Sequence, residues 1–244
     1  IWFNQKFSKL SLSFLALNNG YQYENLTENK FQVAYLQTIG TYGKWDASKF
    51  YGDFGLYAQT GEAAVTNDKV DVGAYYAGFN LGYKFTAPFK AELGFEYLSG
   101  KDQNDTDTKV KSFTPLFGTN HGFNGLMDYF YVGNHKNSVG LQDIYTKFIF
   151  DKNKWQVTLS PHLFYSAASV YNMTTLEEQD NYLGTEIDLT ATYKLDKNFV
   201  ISGGVSKMFA SDTMEVLKGG NNNNCNNWAW VMVSFNPQLF TYKK

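Results

Sequence analysis

Residues 182–195 read Tyr182-Leu183-Gly184-Thr185-Glu186-Ile187-Asp188-Leu189-Thr190-Ala191-Thr192-Tyr193-Lys194-Leu195 and run into Asp196-Lys197-Asn198. Taken alternately, one set is Tyr182, Gly184, Glu186, Asp188, Thr190, Thr192 and Lys194. The other is Leu183, Thr185, Ile187, Leu189, Ala191, Tyr193 and Leu195. A period of two over this length describes a strand with one polar and one apolar face, and the Asp-Lys-Asn that follows is a tight turn.

The pattern recurs along the chain. Trp155, Val157, Leu159, Pro161, Leu163 and Tyr165 oppose Gln156, Thr158, Ser160, His162 and Phe164. Phe89, Ala91, Leu93, Phe95 and Tyr97 oppose Lys90, Glu92, Gly94 and Glu96, and the second half of 71–85 behaves alike. About eleven such segments are expected. Aromatic residues gather at their ends (Trp155 and Tyr165, Phe85 and Phe89, Tyr193 and Phe199, Trp228 and Trp230), as in the interfacial girdles of membrane proteins.

The connections alternate. Phe7-Ser8-Lys9, Asp46-Ala47-Ser48-Lys49, Thr86-Ala87-Pro88, Asp151-Lys152-Asn153-Lys154 and Asp196-Lys197-Asn198 read as tight. Residues 24–30, 61–69, 101–138, 171–181 and 211–226 read as long. A soluble β-sandwich or lipocalin-like barrel has no reason to keep its long loops at one end. An outer-membrane barrel does, with short periplasmic turns and longer outer loops. Small and charged residues on the polar faces (Gly78, Gly82, Gly94, Glu186, Asp188) suit a wet lumen.

Composition agrees. Aromatics are 18 % of the 244 residues and charged residues 18 %, against about 25 % charged in ordinary soluble domains. Mean hydropathy is −0.37. No apolar run reaches the roughly 18 residues of a membrane helix, a limit that leaves a barrel open because only alternate residues meet lipid. Only 4 prolines occur, as expected where most backbone N–H groups donate to ladders. With net charge −2 there is no basic stripe for nucleic acid. All 21 basic residues are lysine, which removes the side chain best suited to bidentate capture of carboxylates. The single Cys225 lies in an Asn-rich run and can form no internal disulfide.

The expected architecture is thus all-β: an antiparallel transmembrane β-barrel, residues 1–244 forming one domain with 101–138 as a long extracellular loop. The first segment precedes a tight turn and the last follows a long loop, so both run inward and the C-terminus is periplasmic. Bacterial single-chain barrels have even strand counts, so eleven strands are expected to be the C-terminal part of a larger barrel, or to be completed by another chain. The opening Ile1-Trp2-Phe3 carries no initiator Met, which suits a removed leader or a piece of something longer.

The segment 113–134 carries a sharper motif: Leu116-Phe117-Gly118-Thr119-Asn120-His121, followed by Gly125-Leu126-Met127-Asp128-Tyr129-Phe130. With the closing Trp228-Ala229-Trp230-Val231-Met232-Val233-Ser234-Phe235, it resembles the alginate-export-like outer-membrane proteins in the form common among Bacteroidetes. The resemblance runs over the whole chain and matches the C-terminal half or more of a full-length member. It implies a closed barrel of about 18 strands, a lumen narrowed by inserted loops, and passive passage of polar or charged solutes. Members that export alginate are expected to have a basic, arginine-lined conduit. Here the inward set is mixed: Lys84, Lys90, Lys147 and Lys194 against Asp53, Glu92, Glu96, Asp143, Glu186 and Asp188. A polyanion path needs positive excess along its wall, so alginate itself is not expected as the solute.

Two readings of the 101–138 loop stay open. In one it folds into the lumen as a constriction, with Asn120, His121, Asn124 and Asp128 facing the solute path. In the other it is an outer cap in which Phe117, Phe123, Leu126 and Phe130 pack together. Loops of this length without a function are uncommon, which favours the first.

Other constellations are weaker. Ser160 and His162 share a strand face, but i and i+2 side chains stand too far apart for a nucleophile–base pair, and no orienting third group is evident. His121, Asp128 and His135 lack zinc-site spacing. Asp102, Asn104, Asp105 and Asp107 lack the glycine and glutamate of a calcium loop. The expectation is a channel in the cell outer membrane, without catalytic residues, metal or cofactor. Its partners are outer-membrane lipid and lipopolysaccharide. The alternatives are a structural barrel subunit of a larger outer-membrane complex, which adds other outer-membrane proteins as partners, and a hydrolase.

Overall fold

In a computed structural model, residues 1–118, 121, 122, 124–238, 240 and 241 are described. Eleven strands form one antiparallel sheet in chain order. They are β1 (Trp2–Phe7), β2 (Leu10–Asn25), β3 (Lys30–Ala47), β4 (Phe50–Val65), β5 (Asp68–Lys84), β6 (Phe89–Leu98), β7 (Leu141–Lys152), β8 (Trp155–Tyr165), β9 (Tyr182–Lys194), β10 (Phe199–Ala210) and β11 (Asn226–Phe235). Among the described residues β1 pairs only with β2, and β11 only with β10.

Register places the apolar set on one face. Leu56, Phe79, Leu93, Phe95, Ile144, Leu159, Leu163, Leu189, Val205 and Phe209 are all more than a third exposed, with none of the described residues covering them. At the end carrying β3–β4, β5–β6, β7–β8 and β9–β10, rings line this outer face across neighbouring strands. Phe50 meets Tyr83 at 4.9 Å, Phe89 meets Phe150 at 5.4 Å, and Trp155 meets Tyr193 at 4.7 Å between centroids. Toward the other end Tyr75 stacks on Tyr97 at 5.5 Å, and Tyr165 meets Tyr182 at 5.4 Å. Tyr83 to Tyr75, Phe89 to Tyr97 and Trp155 to Tyr165 mark the two rows. At about 3.4 Å per residue and a tilt near 40°, the rows lie about 20–25 Å apart, the height of the apolar band in outer-membrane barrels.

The connections confirm one half of the expected alternation and correct the other. At the first end every link is short, the two-residue Ser8-Lys9, Ser48-Lys49 and Asn153-Lys154 among them. At the opposite end, 24–30 and 61–69 are not loops. The β2–β3 ladder continues to Asn25↔Lys30, and the β4–β5 ladder to Val65↔Asp68, leaving only Thr66-Asn67 as the turn. These stretches read as loops because they are polar and small. A ladder is indifferent to that, and cross-strand contacts such as Tyr23 to Gln32 and Lys69 to Glu62 support it. β2 to β5 thus extend well past the second ring row.

Three links at that end remain long. The link 211–225 contains a helix missed in the sequence, α1 (Asp212–Lys218). Its signals are legible afterwards: Ser211 accepts from Met214 N at 3.1 Å as N-cap, acidic Asp212 and Glu215 sit in the first turn, and Gly219 ends it. The final strand stops at Phe235.

Candidate functional site

The link between β6 and β7, residues 99–140, folds over the sheet's other face, here called the inner face. Its two ends are tied by Lys101 N donating to Ser138 O at 3.0 Å. Val110 then adds a short parallel bridge to Val72, with Gly73 N to Val110 O at 2.9 Å and Val110 N to Asp71 O at 2.8 Å. Further on, the buried Gln59 amide pairs with the Thr114 backbone like a second peptide: Thr114 N donates to Oε1 at 3.1 Å and Nε2 donates to Thr114 O at 2.8 Å. The chain then crosses to the far side of the sheet. Phe130 packs on Phe164 at 4.8 Å, both buried, and Lys218 of α1 stands over the Phe130 ring at 5.2 Å. Burying two such rings contributes about 1.5–3 kcal/mol each.

At the middle of this crossing lies a polar junction. Asn124, 3 % exposed, donates from Nδ2 to Glu96 Oε2 at 3.0 Å and to Asp143 Oδ2 at 3.1 Å. Leu126 N and Met127 N both donate to Glu186 Oε1, at 2.6 and 2.8 Å. His162 Nδ1 lies 3.0 Å from Asp143, and its ring is held between Tyr145 and Phe164 at 5.2 and 5.6 Å. Asp188 Oδ2 is 3.9 Å from His162 Nε2. Asp143 and Glu186 have no exposed surface, and Asp188 is 2 % exposed. Gly125 makes the close approach possible. A Cβ there would stand 2.6 Å from the Glu186 carboxylate carbon, and its φ of +79° is one that glycine adopts without penalty.

The expected site residues therefore divide. Asn124 turns into the wall rather than toward open space. Glu96, Asp143, Glu186 and Asp188 do lie on the inner face, but beneath the 99–140 segment. His121 and Asp128 stay on the open side, joined at 2.7 Å between Nδ1 and Oδ2, with His121 against Trp228 of β11 at 5.8 Å. Asn120 lies outside the described residues, as do Thr119 and Phe123. Of the outer-cap contacts expected among Phe117, Phe123, Leu126 and Phe130, Phe117 is 80 % exposed and Phe130 packs on the sheet.

Toward the short-turn end the inner face is open. Asp53, Lys84, Lys90, Glu92, Lys147 and Lys194 stand there. Lys84 bridges Asp46 at 2.7 Å, Lys90 lies 3.8 Å from Asp151, Tyr51 donates to Glu92 at 2.8 Å, and Lys147 sits over the Tyr145 ring at 5.0 Å. The inner-face glycines that read as room for water instead lie under rings: Gly78 beside Tyr76, Gly82 beneath Tyr51, Gly94 beneath Tyr145. A missing Cβ lets each ring lie flat on the wall.

The weaker constellations resolve geometrically. Asp143, seventeen positions before Ser160 and so invisible to local spacing, orients His162; among the described residues no hydrogen bond joins Ser160 to His162, and Ser160 is the register partner of Asp188. His121 and Asp128 meet, but His135 is buried elsewhere with Nε2 at 3.2 Å from Phe130 O. Among the described residues no three His, Cys, Asp or Glu side chains converge as metal ligands. Lys111 holds Asp105 at 2.6 Å and Asp107 at 3.3 Å; the Lys111 contact keeps the Asp105 carboxyl below its usual range, and the Lys109 N–H together with Lys111 does the same for Asp107. Asp102 instead accepts from Ser169 N at 2.7 Å.

His135 yields a pH prediction. Burial pushes its imidazole down to about 4, and the nearby Lys218 acts in the same direction. The unfolded segment takes up a proton near 6.5 while the folded one does not. Stability is therefore full above pH 6.5, falls as pH drops from 6.5 toward 4, and levels off below. The total loss is roughly 3 kcal/mol. Proteolysis of the 99–140 segment should accelerate over that window, and His135→Gln should flatten the profile.

A family model described as alginate export matches residues 19–227, well over half of the chain. No curated protein sequence matches. Among solved structures, the chain is similar to one titled "Copper transporter OprC", at 13 % identity and a TM-score of 0.44. That match covers 87 % of this chain and 36 % of the other, so the chain spans little more than a third of that structure's length.

Proposed function

The chain belongs to the alginate export family, and on that premise we propose that it forms part of the wall and the constriction of an outer-membrane channel for passive diffusion of small polar or charged solutes. Lipid meets the outer face, the short turns and the C-terminus lie in the periplasm, and the 99–140 segment enters from outside. The two edges left by β1 and β11 support closure by strands beyond these eleven, because unpaired backbone in hydrocarbon costs several kcal/mol per group.

The observation that carries this reading is the pinning of the 99–140 segment to the inner face at Gln59, Asn124 and Glu186. It narrows one half of the lumen and leaves the other half open. It also decides which charges a solute meets. The ten wall charges expected from the sequence are four lysines and six acids, but Asp143, Glu186 and Asp188 are buried and Glu96 is half-buried beneath the segment. The remaining Lys84, Lys90, Lys147 and Lys194 face Asp53 and Glu92, Lys44 stands opposite Asp53 in the β3–β4 ladder, and two of the lysines adjoin the turn carboxylates Asp46 and Asp151. Such a wall is mixed, not the strongly positive lining that a polyuronate requires. Alginate itself is not the proposed solute.

The test is planar-bilayer recording of the full-length protein across a potassium chloride gradient. The expected result is steady conductance with a reversal potential close to zero. Absence of conductance overturns the channel and favours a structural barrel; a strongly anion-selective pore overturns the mixed wall.

A further inference from the structure

Beside the pinned segment, on the half of the inner face that it covers, lies a cavity of about 310 Å³. Three rings run along it: Tyr57 and Tyr76 from β4 and β5, with centroids 6.1 Å apart, and Phe113 from the segment, 5.6 Å from Tyr76. Half-buried Leu15 and Leu17 complete the lining from β2. Its size and apolar lining are those of small-molecule sites.

The charge of the lining selects the ligand. Glu96 is the acidic group there, and no lysine contributes. His135, the remaining basic side chain of the lining, is neutral at pH 7 because burial holds its imidazole at about 4. One Glu96 oxygen already accepts from Asn124, and the Tyr76 hydroxyl adjoins the same carboxylate. A carboxylate among tyrosine and phenylalanine rings matches a cation with a weakly hydrated, apolar body, which gains both an ion pair and cation–π attraction. An anion would meet the carboxylate, and a neutral aromatic would forgo both terms.

We propose that this cavity binds an organic ammonium ion with an apolar body, its head between Glu96 and the Tyr57 and Tyr76 rings and its body against Phe113 and Leu17. The site is formed by the wall and the 99–140 segment and does not depend on whether the pore conducts.

Isothermal titration of the full-length protein in detergent micelles, against matched empty micelles, tests it with three probes of one shape: benzyltrimethylammonium, benzyl alcohol and benzoate. The ammonium should bind at one site and clearly tighter than the other two. Glu96→Gln keeps an oxygen for Asn124 and should weaken ammonium binding about tenfold. Leu17→Trp fills the cavity from β2 without touching the polar junction and should abolish binding. Equal binding of benzyl alcohol, binding of detergent alone, or ammonium binding that survives Leu17→Trp overturns the proposal. Protease resistance of the segment, measured on each variant, separates loss of the site from loss of docking. A non-conducting pore with intact ammonium binding would sink the channel and leave this site standing.

Discussion

Gly125→Ala is expected to release the 99–140 segment from the wall and, on the proposed function, raise the conductance of the full-length protein severalfold. Two effects add at this position. A Cβ at residue 125 would stand 2.6 Å from the Glu186 carboxylate carbon and no farther than 2.7 Å from its oxygens, inside any permitted contact. The backbone φ of +79° also costs an L-residue about 1–2 kcal/mol. Relief of the clash requires the segment to withdraw or the Glu186 carboxylate to swing aside, and either movement breaks the bonds from Leu126 N and Met127 N to Glu186. An intramolecular hydrogen bond is worth about 0.5–1.5 kcal/mol, so with the backbone cost the docked state loses about 2–5 kcal/mol.

Glu186→Ala should act in the same direction, leaving both amides without their acceptor. Glu186→Gln keeps an oxygen at that position and should keep most of the docking. The ordering Gly125→Ala and Glu186→Ala far above Glu186→Gln, in conductance and in protease sensitivity of residues 99–140, is the signature of this junction. Unchanged conductance in a variant whose segment has become protease-sensitive would mean that the segment narrows nothing.

The same junction shows where sequence reading stops. The strand 182–195 was legible because a period of two is a local property, and so were the ring rows, since Trp155, Tyr165, Phe89 and Tyr97 stand at segment ends. Residues 24–30 and 61–69 misled because polarity resembles a loop, whereas pairing is decided by the partner strand. Glu186 and Asp188 were correctly placed on the polar face. Their burial was not legible, because it depends on a segment sixty residues earlier settling onto them. Asn124 has the composition of a solute contact and the position of a staple; only the third dimension separates the two. The Gly-Leu-Met run did hold a usable signal, a glycine beside two residues whose backbone, rather than side chain, does the binding. Asp143 and His162 lie nineteen positions apart on neighbouring strands, so no local spacing rule could have joined them.

The second large effect concerns the outer face. Leu189→Lys should destabilise the protein in lipid vesicles by about 2–4 kcal/mol, measured by urea unfolding. Leu189 stands opposite Leu159 on β8 and Val205 on β10, and these three are 42 %, 39 % and 53 % exposed. It lies between the ring row of Trp155 and Tyr193 and the row of Tyr165 and Tyr182, where a lysine cannot easily reach either interface. Gln156→Lys is the paired control: it sits on the inner face, is already exposed, and should shift stability little. The contrast follows from which solvent each face meets, since both substitutions add one lysine to a neighbouring strand of the same ladder. If the apolar face met water, Leu189→Lys would be harmless or helpful. If it were covered by protein, the loss would persist in lipid-free solution. A loss confined to the bilayer therefore assigns the outer face to lipid, and with it assigns the 99–140 segment to the lumen, because the segment packs on the opposite side of the same eleven strands.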